Sequence, residues 1–117
     1  MSHATIAELT QLALKFRDER DWKQFHNPKD MAISLCLEAN EILELMQWKN
    51  GEDLASHLDT KREDLADELS DVLFWVLEMA HEYKIDLGDA FRAKMKKNEA
   101  KYPVEKARGS AKKYTDL

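Results

Sequence analysis

Glu38 and Glu41, in the stretch SLCLEANEILELMQW, and Glu68 and Asp71, in EDLADELSDVLFWVLEMA, are two acid pairs with one spacing, i and i+3. On a helix turning about 100° per residue, Met31, Leu35, Ile42 and Leu45 form an apolar stripe in the first stretch. Glu38 falls inside that stripe and Glu41 at its edge. In the second stretch Leu65, Val72, Val76 and Met79 form the stripe, Glu68 falls inside it, and Asp71 takes the same edge as Glu41. Antiparallel packing of the two helices would bring all four carboxylates together near the middle of a bundle. One such pair alone reads as acids matched by Lys or Arg, or solvated beside the core. Two matched pairs, short of basic neighbours on that face, do not. An ionised carboxylate buried without a partner costs several kcal/mol even after relaxation, against roughly 5–15 kcal/mol of stability for a whole domain. The compensating charge expected here is a divalent cation.

All-oxygen ligands suit hard ions, so the expectation is Mg²⁺, with Mn²⁺ as a possible substitute. A di-iron centre in a bundle requires two Glu-x-x-His motifs and two further glutamates. The chain offers Glu78 with His81, and both are expected to project away from the stripe. Mg²⁺ held by a few carboxylates keeps positions for water and phosphate oxygens. Such ions neutralise a triphosphate, orient its reacting phosphorus and acidify a water. One of the four acids, or neighbouring Glu44, could accept that water's proton. The chemistry implied is hydrolysis of a phosphoanhydride. The absence of a GxxxxGK[ST] stretch rules out a P-loop enzyme.

Aromatic residues near the acids offer stacking surfaces for a base: Trp22 and His26 before the first acidic helix, Trp48 at its end, and Trp75 one turn after Asp71. Tryptophans in a small bundle also serve as core, and a lone histidine as a cap or surface residue. Lys94, Asn98 and Lys101 share a later helical face and could meet phosphates, although basic residues in a last turn also complement the helix dipole.

The elements that must position these groups are helical. Of 117 residues, three are glycine and two proline. Thr5 with Glu8 has capping-box spacing and opens a first helix with its stripe at Ile6, Leu9, Ala13 and Phe16. A turn follows at Asp21–His26. Asn27 as N-cap and Pro28 at the first helical position open a second helix, to about Trp48. Asn50 and Gly51 stop it, and a polar connection leads to Thr60, which pairs with Glu63 as another capping box for a third helix to about Tyr83. Asp86 with Asp89 starts a fourth, which must end by Tyr102 because Pro103 follows. The expectation is an all-α, four-helix bundle over residues 1–103, with a basic tail over 104–117 packed on the site or on a neighbouring chain.

The length suits one domain. Hydrophobic residues at 44% and charged residues at 35% indicate a globular chain. A net charge of −5 argues against a nucleic-acid partner. No apolar run is long enough for a bilayer, and the N-terminus lacks a secretory pattern, so a cytoplasmic protein without a membrane partner is expected. The single cysteine, Cys36, points away from Glu38 and reads as a buried structural thiol.

The chain resembles the MazG-like all-α nucleoside triphosphate pyrophosphohydrolases, and within them the dCTP pyrophosphatase branch. The resemblance rests on RDWKQFH at 20–26, EANEILELMQWK at 38–49, DELSDVL at 67–73, KMKKNEAKYP at 94–103 and the terminal KYTDL, in family order. It implies that Glu38, Glu41, Glu68 and Asp71 are the metal ligands and catalytic acids. It implies base recognition by Trp22, Lys23, Gln24, Phe25 and His26, with Trp48 a further substrate contact. Trp75 stands where the animal branch has a tyrosine, and Ala13 where that branch has a histidine. Lys94 and Asn98 are implied to face phosphate or sugar. The implied reaction cuts between the α- and β-phosphates of dCTP or a modified dCTP, releasing monophosphate and pyrophosphate in nucleotide-pool sanitation. The implied assembly is a homotetramer, a dimer of dimers. A non-catalytic nucleotide-binding module, serving oligomerisation or regulation, is the alternative.

Overall fold

The capping box read from Thr5 and Glu8 forms: the Glu8 amide donates to Thr5 Oγ1 at 3.1 Å, and the Thr5 amide to Glu8 Oε1 at 3.5 Å. In the computed structural model, which describes residues 3–117, it opens helix α1, Ile6–Glu19. The chain then bends through Asp21, held at a positive φ of 54°, into a single 3₁₀ turn at Lys23–Phe25. Asn27 caps α2, Pro28–Met46, by accepting from the Asp30 amide at 2.9 Å, with Pro28 in the first turn where no backbone donor is needed.

Residues 51–60 differ from expectation. They are not a polar connection but a helix, α3, Gly51–Thr60. Gly51 takes a positive φ of 53°, open to glycine without strain, and re-aims the chain after α2. Glu52 and Asp53 then complement the amino-terminal dipole, and half-buried Leu54 and Leu58, four apart, supply an inward face. The expected capping box at Thr60 and Glu63 is consequently absent. Thr60 closes α3 instead, its hydroxyl donating to the Ser56 carbonyl at 3.0 Å, and α4, Arg62–Glu82, starts after Lys61 without a side-chain cap.

These four helices belong to one compact unit that runs to Lys84, in which α4 is central: α1 and α2 pack on it, and α3 packs on both α2 and α4. Its core is small, with Ala13, Leu14, Met31, Leu77 and Ala80 buried. The outer face of α2 carries exposed apolar side chains. Ile33, Cys36, Leu37 and Leu43 all lie exposed there, so Cys36 is a surface thiol and not a buried one. The physical reason is that α2 turns its other face, with Met31 and Glu38, toward α4.

A second unit, Ile85–Leu117, holds α5, Leu87–Lys101, capped by Asp86 Oδ1 accepting from the Asp89 amide at 3.0 Å. Pro103 ends it as expected, with a short α6, Val104–Ala107, and a last 3₁₀ turn at Tyr114–Asp116. Tyr102 packs edge-on to Tyr114, with Lys101 over the Tyr114 ring. No strand occurs among the described residues, and no helix there is long and apolar enough to cross a membrane.

Met31 is the most enclosed apolar side chain, 1% exposed. Truncation to alanine should therefore lower unfolding free energy by about 2–5 kcal/mol, read from chemical denaturation. A loss below about 1 kcal/mol would place the core elsewhere.

Candidate active site

The two acid pairs meet. One carboxylate oxygen from each of Glu38, Glu41, Glu68 and Asp71 lies within 4.8 Å of the others. Both pairs sit on their helices at i and i+3, which is why each helix can offer two acids to one point. Glu41 is hydrogen-bonded to Glu68, and the charge of Asp71 acts on Glu38. His26, ahead of α2, reaches Glu78 near the end of α4. Early residues of one helix thus face late residues of the other, so α2 and α4 run antiparallel.

Glu38 and Glu68, the residues inside the stripes, are half-buried; Glu41 and Asp71, at the edges, are exposed. None of the four forms an ion pair with Lys, Arg or His among the described residues. Oε2 of Glu38 and Oε2 of Glu68 are shut off from solvent and have no hydrogen-bond donor. Like charges at this range oppose ionisation. Glu68 is pushed up to about 7, first by the shared hydrogen bond with Glu41, then by loss of solvent and by the charges of Glu41, Asp71 and Glu38. Glu38 is also raised, chiefly by burial and then by the charges of Glu41 and Asp71.

The donor set fits a hard divalent cation. Oxygens on opposite sides of one octahedral Mg²⁺ stand about 4.2 Å apart, twice its bond length. A spread of up to 4.8 Å therefore accommodates one ion, or two side by side, after movements below an ångström. The two donorless oxygens are acceptors that a cation would satisfy.

Beside the acids lies a cavity of about 340 Å³ lined by Phe16, Trp22, Glu38, Ser70, Asp71, Phe74 and Trp75. Metal-ligand candidates and aromatic faces share this one space. Its aromatic wall is continuous: Phe16 packs edge-on to Trp22 at 5.6 Å and to Phe74 at 5.9 Å, and Phe74 to Trp75 at 5.0 Å between ring centroids. Phe16, Ser70 and Phe74 were not singled out as site residues. Phe16 and Phe74 are legible only as apolar positions, and Ser70, which donates to the Ala66 carbonyl, carries no motif.

Trp22 and Trp75 therefore line the cavity, and His26 stands behind it with its ring 4.9 Å from Trp75. The rest of the turn does not enter. Phe25 is exposed, and Gln24 folds back to bond Asp21 through both its backbone and its carboxylate. Lys23 is exposed. Trp48 is 87% exposed, and its backbone is held at a φ of 69°, a region that bulky side chains seldom adopt. Lys94 and Asn98 lie on α5 in the second unit, the lysine exposed and the asparagine half-buried. Glu44 is exposed, outside the four-acid cluster.

Glu78 corrects the sequence reading. It does not project away from the interior: it is 1% exposed and bonded to Arg17 and His26, whereas His81 is exposed. The signal was available. Glu78 follows Asp71 by seven residues, which returns it to the same edge of α4.

The MazG-like family matches residues 33–117. The chain is 41% identical over 118 residues to "dCTP pyrophosphatase 1" of Bos taurus, covering 99% of this chain and 70% of that one. It is 38% identical over 115 residues to the Homo sapiens protein of the same name, covering 97% and 68%. A solved structure of a pyrophosphatase from Archaeoglobus fulgidus superposes with a TM-score of 0.81 at 34% identity, over 88% of this chain and 96% of its own. A matched family segment that contains all four acids, together with relatives alike over nearly the full chain, places this protein in the MazG-like family.

Proposed function

We infer that the protein is a nucleoside triphosphate pyrophosphohydrolase that takes dCTP or a modified dCTP as substrate in nucleotide-pool sanitation, in the cytoplasm. The observation that carries this reading is the shared cavity: Glu38 and Asp71, two of the four clustered acids, line the same space as Trp22 and Trp75. Relatives called dCTP pyrophosphatase support the substrate class. Mg²⁺, bound by Glu38, Glu41, Glu68 and Asp71, would supply neutralising charge to the triphosphate and lower the pKa of water.

The chain's own residues divide the remaining work. Glu38 and Glu68, half-buried on facing helices, fix the depth at which charge is held. Glu41 and Asp71, at the solvent edge, are free to reorient as phosphate arrives. One of the four, or Glu44, accepts the proton of the attacking water. Trp22 and Trp75 hold the base by stacking and exclude water from one side of it. His26, Lys23, Gln24 and Phe25 complete the recognition turn.

The same reading includes a homotetramer. Ile33, Leu37 and Leu43 form an exposed apolar face on α2, and a neighbouring copy would remove it from water. Trp48, strained in its backbone and almost wholly exposed, has the character of a side chain held ready for another surface. A copy of the chain could cover it or share it with bound nucleotide.

Glu38→Gln or Glu68→Gln should lower hydrolysis by more than roughly 100-fold with the helical spectrum unchanged. Pyrophosphate release from dCTP and Mg²⁺ measures this, and retained turnover in either variant would defeat the assignment. The raised pKa of Glu68 also sets a stability profile. The metal-free folded state keeps a proton that the unfolded chain, at its ordinary value of 4.5, gives up. That stabilisation is complete below about pH 4.5 and is lost as pH rises through about 7. Metal-free protein should melt lower at pH 8 than at pH 5.5, Glu68→Gln should shrink the difference, and Mg²⁺ should raise the melting temperature more at pH 8. An identical profile in the variant would contradict it. Light scattering should give the mass of four chains, and Leu37→Glu with Leu43→Glu should reduce it; an unchanged tetramer would move the interface elsewhere.

A further inference from the structure

Two turns beyond Asp71, α4 buries another acid that neither the metal cluster nor the cavity wall uses. Oε2 of Glu78 accepts from Arg17 Nη1 at 3.4 Å and lies 3.3 Å from His26 Nδ1. Its Oε1 meets no donor. Arg17, 4% exposed, also bonds Asp18 at 2.8 Å and lies 3.9 Å from Glu82. One carboxylate therefore joins α1, the turn that follows it, and α4.

An oxygen already accepting from a guanidinium offers only lone pairs to its other neighbour. The hydrogen between Oε2 and Nδ1 must then belong to Nδ1, which fixes the tautomer of neutral His26. The ring so fixed stands edge-on to Trp75, at 62°, and Trp75 lines the cavity together with Trp22. Trp22 heads the same short turn that His26 closes. A tether at His26 thus governs where Trp22 can sit. Stability alone does not call for this arrangement, because a buried ion pair rarely exceeds a well-packed apolar set of the same volume. What the carboxylate adds is orientation of an imidazole.

We propose that Glu78 is a positioning residue for nucleotide binding, holding the Trp22–His26 turn against Trp75 through His26 Nδ1. The proposal rests on the pyrophosphohydrolase reading and refines its base-recognition wall. Glu78 bonds none of the four clustered acids, so its loss acts on substrate affinity and spares the chemical step.

The test combines histidine ¹⁵N–¹H spectra with steady-state kinetics on dCTP and Mg²⁺. Wild-type His26 should be the Nδ1–H tautomer, and Glu78→Gln should shift it toward Nε2–H. The variant should raise KM by roughly tenfold with kcat within about twofold, and its Mg²⁺-dependent melting shift should match wild type. A merely structural role would lower the melting temperature and leave tautomer and KM alone. An Nε2–H tautomer in the wild-type protein overturns the proposal without needing any variant to fold, as does an unchanged KM in folded Glu78→Gln. Absence of turnover by wild type overturns the pyrophosphohydrolase reading instead, and calorimetric dCTP affinity then replaces KM in judging Glu78.

Discussion

Mutual repulsion among four carboxylates, with no cationic side chain among the described residues to answer it, is the constraint around which this protein is built. Glu38, Glu41, Glu68 and Asp71 approach within 4.8 Å of one another because α2 packs antiparallel on α4. Among the described residues no ion pair relieves the two inner acids, and Oε2 of each lacks a hydrogen-bond donor. Left alone, the cluster answers by holding protons, as the elevated Glu68 shows. A hard dication would answer it better, converting a cost of folding into a binding site.

The contrast within α4 makes the point sharper. Glu78 is more deeply buried than Glu68, yet it has Arg17 and His26 beside it, and its charge is matched from within the chain. Asp71 and Glu68, two and nearly three turns nearer the helix start, have no such partner among the described residues. The helix carries both solutions to the problem of an inward acid: a cation built into the sequence, and a cation to be supplied from solution.

Most of the site could be read from sequence because both of its ingredients are local. An i, i+3 acid pair inside an apolar stripe shows its direction on any helical wheel, and Trp75 lies one turn from Asp71. Thr5, Asn27 and Asp86 marked helix starts correctly because capping is a short-range hydrogen bond. What escaped was non-local or ambiguous. Helix α3 has only Leu54 and Leu58 to reveal it amid polar residues that read as a loop. Glu78 was misjudged because its partners come from α1 and from the turn after it, distant in sequence. Cys36 reads as core on the helical wheel, yet it lies exposed beside Ile33 and Leu37 on the face of α2 turned away from Glu38. Phe16 and Phe74 enter the cavity for a tertiary reason, the crossing of α1 over α4.

The most direct measurement is anomalous diffraction from crystals of the protein soaked in Mn²⁺, a stand-in for Mg²⁺ with a usable absorption edge. The account predicts one or two strong peaks between α2 and α4, each within bonding distance of oxygens from Glu38, Glu41, Glu68 or Asp71. Density showing those side chains turned to bulk water, or each tied to a lysine or arginine with no peak between them, would contradict it.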